Sequence, residues 1–130
     1  MGLEGIAVDA AHSIKYSETE YQGIDLATGK SLFYKNIGNQ TINIGEFLAI
    51  VQGCKYIIEN DFSPRIIYSD SLVAISWFKN KHTSSKKTNK HLQKAEIFLE
   101  LMADDIKTIQ VHHWDKKSIG FENPADFGNK

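Results

Sequence analysis

Apolar and polar residues fall along this chain in segments short enough to be read one at a time. Gly5–Ala11 is almost continuous in small and branched apolar residues and predicts a buried strand. Tyr21–Asp25 and Ser31–Ile37 flank the turn Ala27-Thr28-Gly29-Lys30 and predict a hairpin. Over Gly45–Asn60 the residues Phe47, Ile50, Val51, Cys54, Ile57 and Ile58 recur at helical spacing. Asp61–Pro64 ends that helix, and Arg65–Tyr68 predicts a short buried strand. Ser71–Asn80 predicts a helix with Val73, Ala74, Trp77 and Phe78 inward. A second long helix follows a cap at Thr88 or Asn89, with Leu92, Ala95, Ile97, Phe98, Leu101 and Met102 as its apolar positions. Thr108–Trp114 predicts the last strand, and Pro124 suits the first turn of a short terminal helix. The order is β-β-β-α-β-α-α-β-α. Hairpin strands followed by strand–helix alternation predict an α/β protein with a five-stranded mixed sheet and helices on both faces.

Composition narrows the class without naming the chemistry. A chain of 130 residues with 42% hydrophobic and 24% charged residues can bury one adequate core, so a single domain is expected. No apolar stretch is long enough to span a membrane, and no signal peptide opens the sequence. The lone Cys54 falls on the apolar side of a helix and has no partner for an internal disulfide, which fits a reducing cytoplasm. The net charge of −1 sets up no global positive field. Its distribution is uneven, because Lys79, Lys81, His82, Lys86, Lys87, Lys90 and His91 crowd one stretch. Such a patch can meet phosphate, although a solvated loop and helix start would look the same.

Candidate chemistry lies in four carboxylates. Asp9 ends the run Ile6-Ala7-Val8, Glu46 opens the apolar part of the first helix, Asp70 ends Ile66-Ile67-Tyr68, and Asp126 sits in the C-terminal tail. Each has an innocent account. Asp9 could start a turn, Glu46 could favour the positive end of its helix, Asp70-Ser71 could cap the next helix, and Asp126 could be a surface residue. As a set they say more. Two strand ends, a helix start and a tail can converge at one edge of an α/β sheet. Converging carboxylates repel unless a cation lies between them, which points to divalent metal.

Four segments carry a family resemblance: Ile6-Ala7-Val8-Asp9, Gly45-Glu46-Phe47-Leu48-Ala49-Ile50-Val51, Ile67-Tyr68-Ser69-Asp70-Ser71 and Pro124-Ala125-Asp126-Phe127-Gly128. In these segments and in element order the chain resembles the ribonuclease H family, specifically its bacterial type 1 enzymes, over nearly the whole length. The resemblance implies a ribonuclease H-like fold and one catalytic domain over residues 1–130. It implies a metal-dependent endonuclease that hydrolyses the RNA strand of RNA–DNA hybrids, leaving 3′-hydroxyl and 5′-phosphate ends. In the family the acids equivalent to Asp9, Glu46, Asp70 and Asp126 hold two magnesium ions, for which manganese can substitute. These four are therefore the expected catalytic and metal-ligating residues. Asp9 would bridge both ions, Asp70 and Asp126 would favour the ion that activates water, and Glu46 the ion at the leaving oxygen. Glu122 matches an acid that assists metal exchange and product release. The expected partner is RNA–DNA hybrid, with no membrane attachment, acting as a monomer in the cytoplasm.

The resemblance also marks substrate-binding positions. Asn43 matches an asparagine that reads the minor groove, although a turn residue before the helix reads equally well from the sequence. Thr41 matches part of a pocket for a DNA-strand phosphate, and Ser85 and Lys86 fall where the rest of it is expected. Trp77 matches an aromatic near the DNA channel, and its helical spacing fits a core role as well. Departures from the family concentrate here. Ala10-Ala11-His12-Ser13-Ile14-Lys15 stands in place of a glycine-rich turn with asparagine, Ile42 in place of a second asparagine, and Leu72 in place of a glutamine. These changes remove amide contacts to RNA and leave the acids untouched. Lys15 or His12 could compensate by meeting phosphate.

His112, His113 and Asp115 raise the idea of zinc, but adjacent residues on a strand point to opposite faces and no cysteine accompanies them. His113 or His12 could instead serve as a proton shuttle, and neither enters the catalytic set. Two other functions fit the same residues. One is a different nuclease or nucleotidyl transferase on the same scaffold, of resolvase or integrase type. The other is a module that binds nucleic acid without cutting it, favoured by the missing amides and opposed by the intact acids.

Overall fold

The computed structural model describes residues 3–80 and 89–127. Five strands form one sheet in the order β3-β2-β1-β4-β5. β1 (Ile6–Ser13), β2 (Glu18–Asp25) and β3 (Ser31–Asn36) make an antiparallel meander. β4 (Ile66–Ser69) lies parallel to β1, and β5 (Gln110–His113) parallel to β4. The sheet is mixed, as the strand–helix order implied. The helices are α1 (Ile42–Asn60), α2 (Leu72–Asn80), α3 (Lys90–Leu101) with its short continuation α4 (Ala103–Ile106), and α5 (Lys116–Ile119). Among the described residues no helix is long and apolar enough to cross a membrane.

The pleat of β1 sorts the two layers. Ile6 and Val8 face the main core with Phe47, Ile50 and Ile57 of α1, Ile67 of β4, and Leu92, Ala95 and Leu99 of α3. Ala7 faces the other way, into a smaller cluster with Trp114 and Ala125, flanked by Ile119 of α5 and Phe121. Helices therefore cover both faces, the long ones on one side and α5 with the tail on the other. Truncating a fully buried aliphatic such as Ile50 or Ile67 to alanine removes packing worth about 2–5 kcal/mol.

Several element ends differ from those the pattern suggested, each for a local reason. α1 starts at Ile42 because the Thr41 hydroxyl accepts from the Ile44 N–H and caps it. Asn43 is thus in the first turn of a helix, and Glu46 lies one turn inside it. In α2 the buried residues are Ala74, Ile75 and Phe78, while Val73 is exposed. The phase is set by Ser71, whose hydroxyl accepts from Ala74 N–H and which opens the helix. In α3 the cap is Asn89, which accepts from His91 and Leu92 N–H, and Leu99 takes the core position while Ile97 and Leu101 face solvent. No helix forms at Pro124 among the described residues. The closing helix is α5, capped by Asp115 accepting from Lys117 N–H, and Asn123–Asp126 is a turn closed by the Asp126 N–H on the Asn123 carbonyl.

Gly5, at φ +124°, leads the chain into β1 where a Cβ would stand 2.6 Å from the Ile66 carbonyl oxygen. The backbone conformation and the close strand both require glycine there. Gly5→Ala is expected to lower the unfolding free energy by at least about 2 kcal/mol, read as a lower urea midpoint at unchanged slope.

Candidate active site

The register of β1 and β4 brings the first two acids together. Val8 pairs with Ser69 as the last rung of the parallel ladder, so Asp9 and Asp70 are the next residues of neighbouring strands at the same sheet edge. Asp70 is exposed, since Ser71 rather than Asp70 caps α2. Asp9 is buried at 8% exposure.

Glu46 arrives from above the sheet. α1 crosses β1 and β2 so closely that a Cβ on Gly45 would lie 2.8 Å from Thr19 Cγ2 and 3.0 Å from Ala10 Cβ. Only a residue without a side chain permits that approach. The next residue then reaches the strand, and the Ala10 N–H donates to Glu46 Oε1 at 2.5 Å. Asp9, Glu46 and Asp70 each offer an oxygen, and these atoms lie within 4.8 Å of one another. Among the described residues they are the group of three or more His, Cys, Asp or Glu side chains so placed.

Burial and mutual repulsion shape the charge of this group. Desolvation pushes the Asp9 carboxyl well above its ordinary range, and the charges of Asp70 and Asp126 add to the rise. Desolvation also raises Glu46, reinforced by its hydrogen bond with Asp9 and by the charges of Asp9 and Asp70. A proton shared within the Asp9–Glu46 pair relieves the repulsion when no cation is present. Hard carboxylate oxygens brought this close, with a strong electrostatic need for positive charge, suit a divalent oxygen-loving cation such as magnesium or manganese.

The tail is placed by residues that the sequence pattern did not single out. Asn123 is buried; its Nδ2 donates to the Val8 carbonyl at 3.0 Å and its Oδ1 accepts from Ala125 N–H at 2.8 Å. Gln22, which pairs with Asp9 across β1 and β2, donates through Nε2 to the Ala125 carbonyl at 2.6 Å. These bonds hold Asp126 near enough to act on Asp9 by charge, outside the tight group of three. An Asx residue directly before proline is the one sequence signal that could have flagged Asn123.

Comparison with known proteins bears on this arrangement. No protein-family model matches the chain. Solved structures do. The RNase H1 of the archaeon Halobacterium salinarum NRC-1 superposes with a TM-score of 0.58 at 12% identity, over 88% of this chain and 87% of that one. LC11-RNase H1, isolated from compost by a metagenomic approach, gives a TM-score of 0.60 at 12% identity over 92% and 89%. The N-terminal RNase H domain of a Mycobacterium tuberculosis protein gives 0.53 at 13% identity over 85% and 86%.

The fold is that of ribonuclease H.

On this ribonuclease H fold the other positions marked from sequence can be located. Thr41 and Asn43 are exposed at the N-terminus of α1, at the same end of the helix as Glu46. Trp77 is half-buried and packs edge-on against Phe47 at 5.9 Å between ring centres, so it belongs to the core margin. Glu122 forms an ion pair with Lys116 at the surface. Ser85 and Lys86 lie outside the described residues. His12 Nδ1 lies 2.8 Å from Thr19 Oγ1, whose own proton goes to the Gln40 carbonyl at 2.5 Å. His12 is thereby the donor in that contact, and Thr19, bonded to Gln40, holds the β1–β2 hairpin to the segment before α1. His112 bonds with Gln110 at 2.8 Å, and with His113 and Asp115 it forms no ligand group among the described residues.

The raised acids carry a consequence for stability with the sign fixed. Below the ordinary carboxylate range, near pH 4, both Asp9 and Glu46 are protonated whether the chain is folded or not. As pH rises, the unfolded chain releases those protons first, so the metal-free fold loses stability toward neutral and alkaline pH. Asp9→Asn is expected to flatten that loss and to raise the melting temperature in chelator at pH 8 by several degrees, about 1–2 kcal/mol. Magnesium should stabilise the parent protein and leave the variant nearly unchanged. Thermal melts at pH 5 and 8, with chelator and with magnesium, check both expectations.

Proposed function

We propose that the chain is a metal-dependent endoribonuclease that hydrolyses the RNA strand of RNA–DNA hybrids and leaves 3′-hydroxyl and 5′-phosphate ends. The observation that supports it most is the convergence of Asp9, Glu46 and Asp70 at the carboxyl edge of a ribonuclease H sheet. Asp9, Glu46, Asp70 and Asp126 would hold two magnesium ions, or manganese in their place. When bound, the ions supply an activated water and charge for the leaving 3′ oxygen.

The residues divide the remaining work by burial. Asp9 and Glu46 are fixed, Asp9 between the strands and Glu46 by the Ala10 N–H, so they set the position of the cation pair without reorganising. Asp70 and Asp126 are exposed, which leaves them accessible to a phosphodiester. Thr41 accepts from Ile44 N–H yet keeps its own proton to donate. With the free N–H groups of the α1 N-terminus it forms a site for a phosphate of the DNA strand. Asn43, one turn before Glu46, presents an amide to the minor groove close to the cut. Glu122, tied to Lys116, would act as the mobile acid that helps product leave once that ion pair opens. The small globular domain is read as a cytoplasmic monomer acting on hybrid.

A labelled RNA–DNA hybrid, an RNA duplex and a DNA duplex incubated with magnesium, and again with chelator, test the proposal. Cleavage should be confined to the RNA strand of the hybrid and vanish with chelator. Asp70→Asn is expected to keep hybrid affinity and lose at least about 10²-fold in cleavage rate, the scale of removing one transition-state stabilising group. Near-parental cleavage by that variant would refute the assignment.

A further inference from the structure

A cavity of about 180 Å³ opens between β3, α1 and α3. Its floor is apolar, with Leu48, Val51 and Phe98 contributing side chains. Around it stand Lys35 of β3, Lys55 of α1, and His91 and Lys94 of α3. None of the three lysines forms an ion pair with an acid among the described residues. Their charge is felt locally, since Lys35 and Lys94, after burial, hold the His91 imidazole below its ordinary range.

Tyr21 gives the cavity a specific polar group. It is 4% exposed and lines the cavity, and its hydroxyl has no hydrogen-bond partner among the described residues. Every fully covered side-chain nitrogen or oxygen among those residues does have a partner. The Tyr21 hydroxyl must therefore meet an opening, and this cavity is the one it lines. Burial alone raises that phenol to about 12, so it stays a neutral donor. A buried donor left open to an apolar slot is costly unless a ligand atom or water meets it.

We propose that this cavity binds a nucleoside phosphate, the base in the slot against Phe98 with an acceptor on the Tyr21 hydroxyl, and the phosphate among Lys35, Lys55 and Lys94. The volume is below the roughly 300–1,000 Å³ of pockets for drug-sized ligands and suits a single ring system with its charged group at the mouth. Several ammonium groups spread around one opening match an anion with several acceptor oxygens. A bare inorganic anion leaves the slot and Tyr21 unused, and a long acyl chain does not fit the volume. The nucleotide can come from two sources. It is either a free mononucleotide or one nucleotide of a bound strand, and only the second rests on the nuclease assignment.

The test follows amide chemical shifts of the Asp9→Asn protein in chelator, where cleavage plays no part. Uridine 5′-monophosphate is expected to move Val51, Gln52, Lys55, His91 and Ala95 saturably, with a dissociation constant of about 10 μM–1 mM. Uridine should bind at least about tenfold more weakly, as should the Lys35→Gln/Lys94→Gln protein, and Tyr21→Phe about threefold more weakly, each a loss within the range of one or two hydrogen bonds. Those results support a free nucleotide as ligand. If the monophosphate is silent but a short oligouridylate moves the same amides, and the double lysine variant abolishes this, the ligand is a nucleotide of a strand. No shift at these residues with either probe overturns the proposal. So does a nucleoside, or an aromatic carboxylate such as benzoate, that binds as tightly as the monophosphate. Failure of hybrid cleavage in the assay described above leaves the mononucleotide result standing, so the two assignments fail separately.

Discussion

The parallel pairing of β1 with β4 is the constraint on which the site depends. It ends with Val8 opposite Ser69, so the next residue on each strand is an aspartate and both stand at one edge. Shift that register by a single residue and the side-chain alternation sends the two carboxylates to different faces. The register is defended by the core. Ile6, Val8 and Ile67 are wholly buried under α1, and a slip would expose them to water. Stability of the hydrophobic layer and placement of the acids are thus one requirement.

Against that gain stands the cost of the acids themselves. Asp9 and Glu46 are buried where a charge is poorly solvated; burial raises both, and Asp9 raises Glu46 further while its hydrogen bond with Glu46 tempers the rise at Asp9. The fold tolerates this through fixed donors and close packing: the Ala10 N–H on Glu46, and the Gly45 contact that lets α1 settle onto the sheet. A site strained by repulsion in the absence of a cation is one prepared to take a cation up. The rim is arranged differently. Asp70 and Asp126 are exposed, and the tail that carries Asp126 is held by Asn123, on the Val8 carbonyl and the Ala125 N–H, and by Gln22 on the Ala125 carbonyl.

The helical face shows a second use of charge. Lysines from three separate elements surround an apolar slot with a tyrosine hydroxyl left open to it. The stems of such lysines can cover apolar surface while their heads stay in water. Here the cavity remains beneath them, and the nearby histidine is pushed toward its neutral form by burial first and then by the charges of Lys35 and Lys94. Positive potential on this face and negative potential at the sheet edge divide the molecule while the net charge stays near zero.

Strand and helix identities were legible because burial imposes its period directly on the residues. The apolar run of β1, the hairpin around Gly29 and the helical spacing from Phe47 to Ile57 each name their element without help from the rest of the chain. Asp9 and Asp70 were conspicuous for a related reason, as carboxylates at the ends of apolar runs. Helix phase was less so. Val73, Ile97 and Leu101 face water while Ile75 and Leu99 are buried, because the caps at Ser71 and Asn89 and the neighbouring helix set rotation, and apolar residues on both sides of a short helix leave that rotation open. The site's supports were hidden altogether. Asn123 and Val8 are 115 positions apart, and the bond between them exists only once the tail folds back over β1. Local pattern determines what each segment becomes; which distant groups then meet is decided by packing, since contact between remote residues depends on geometry that no short window of sequence contains.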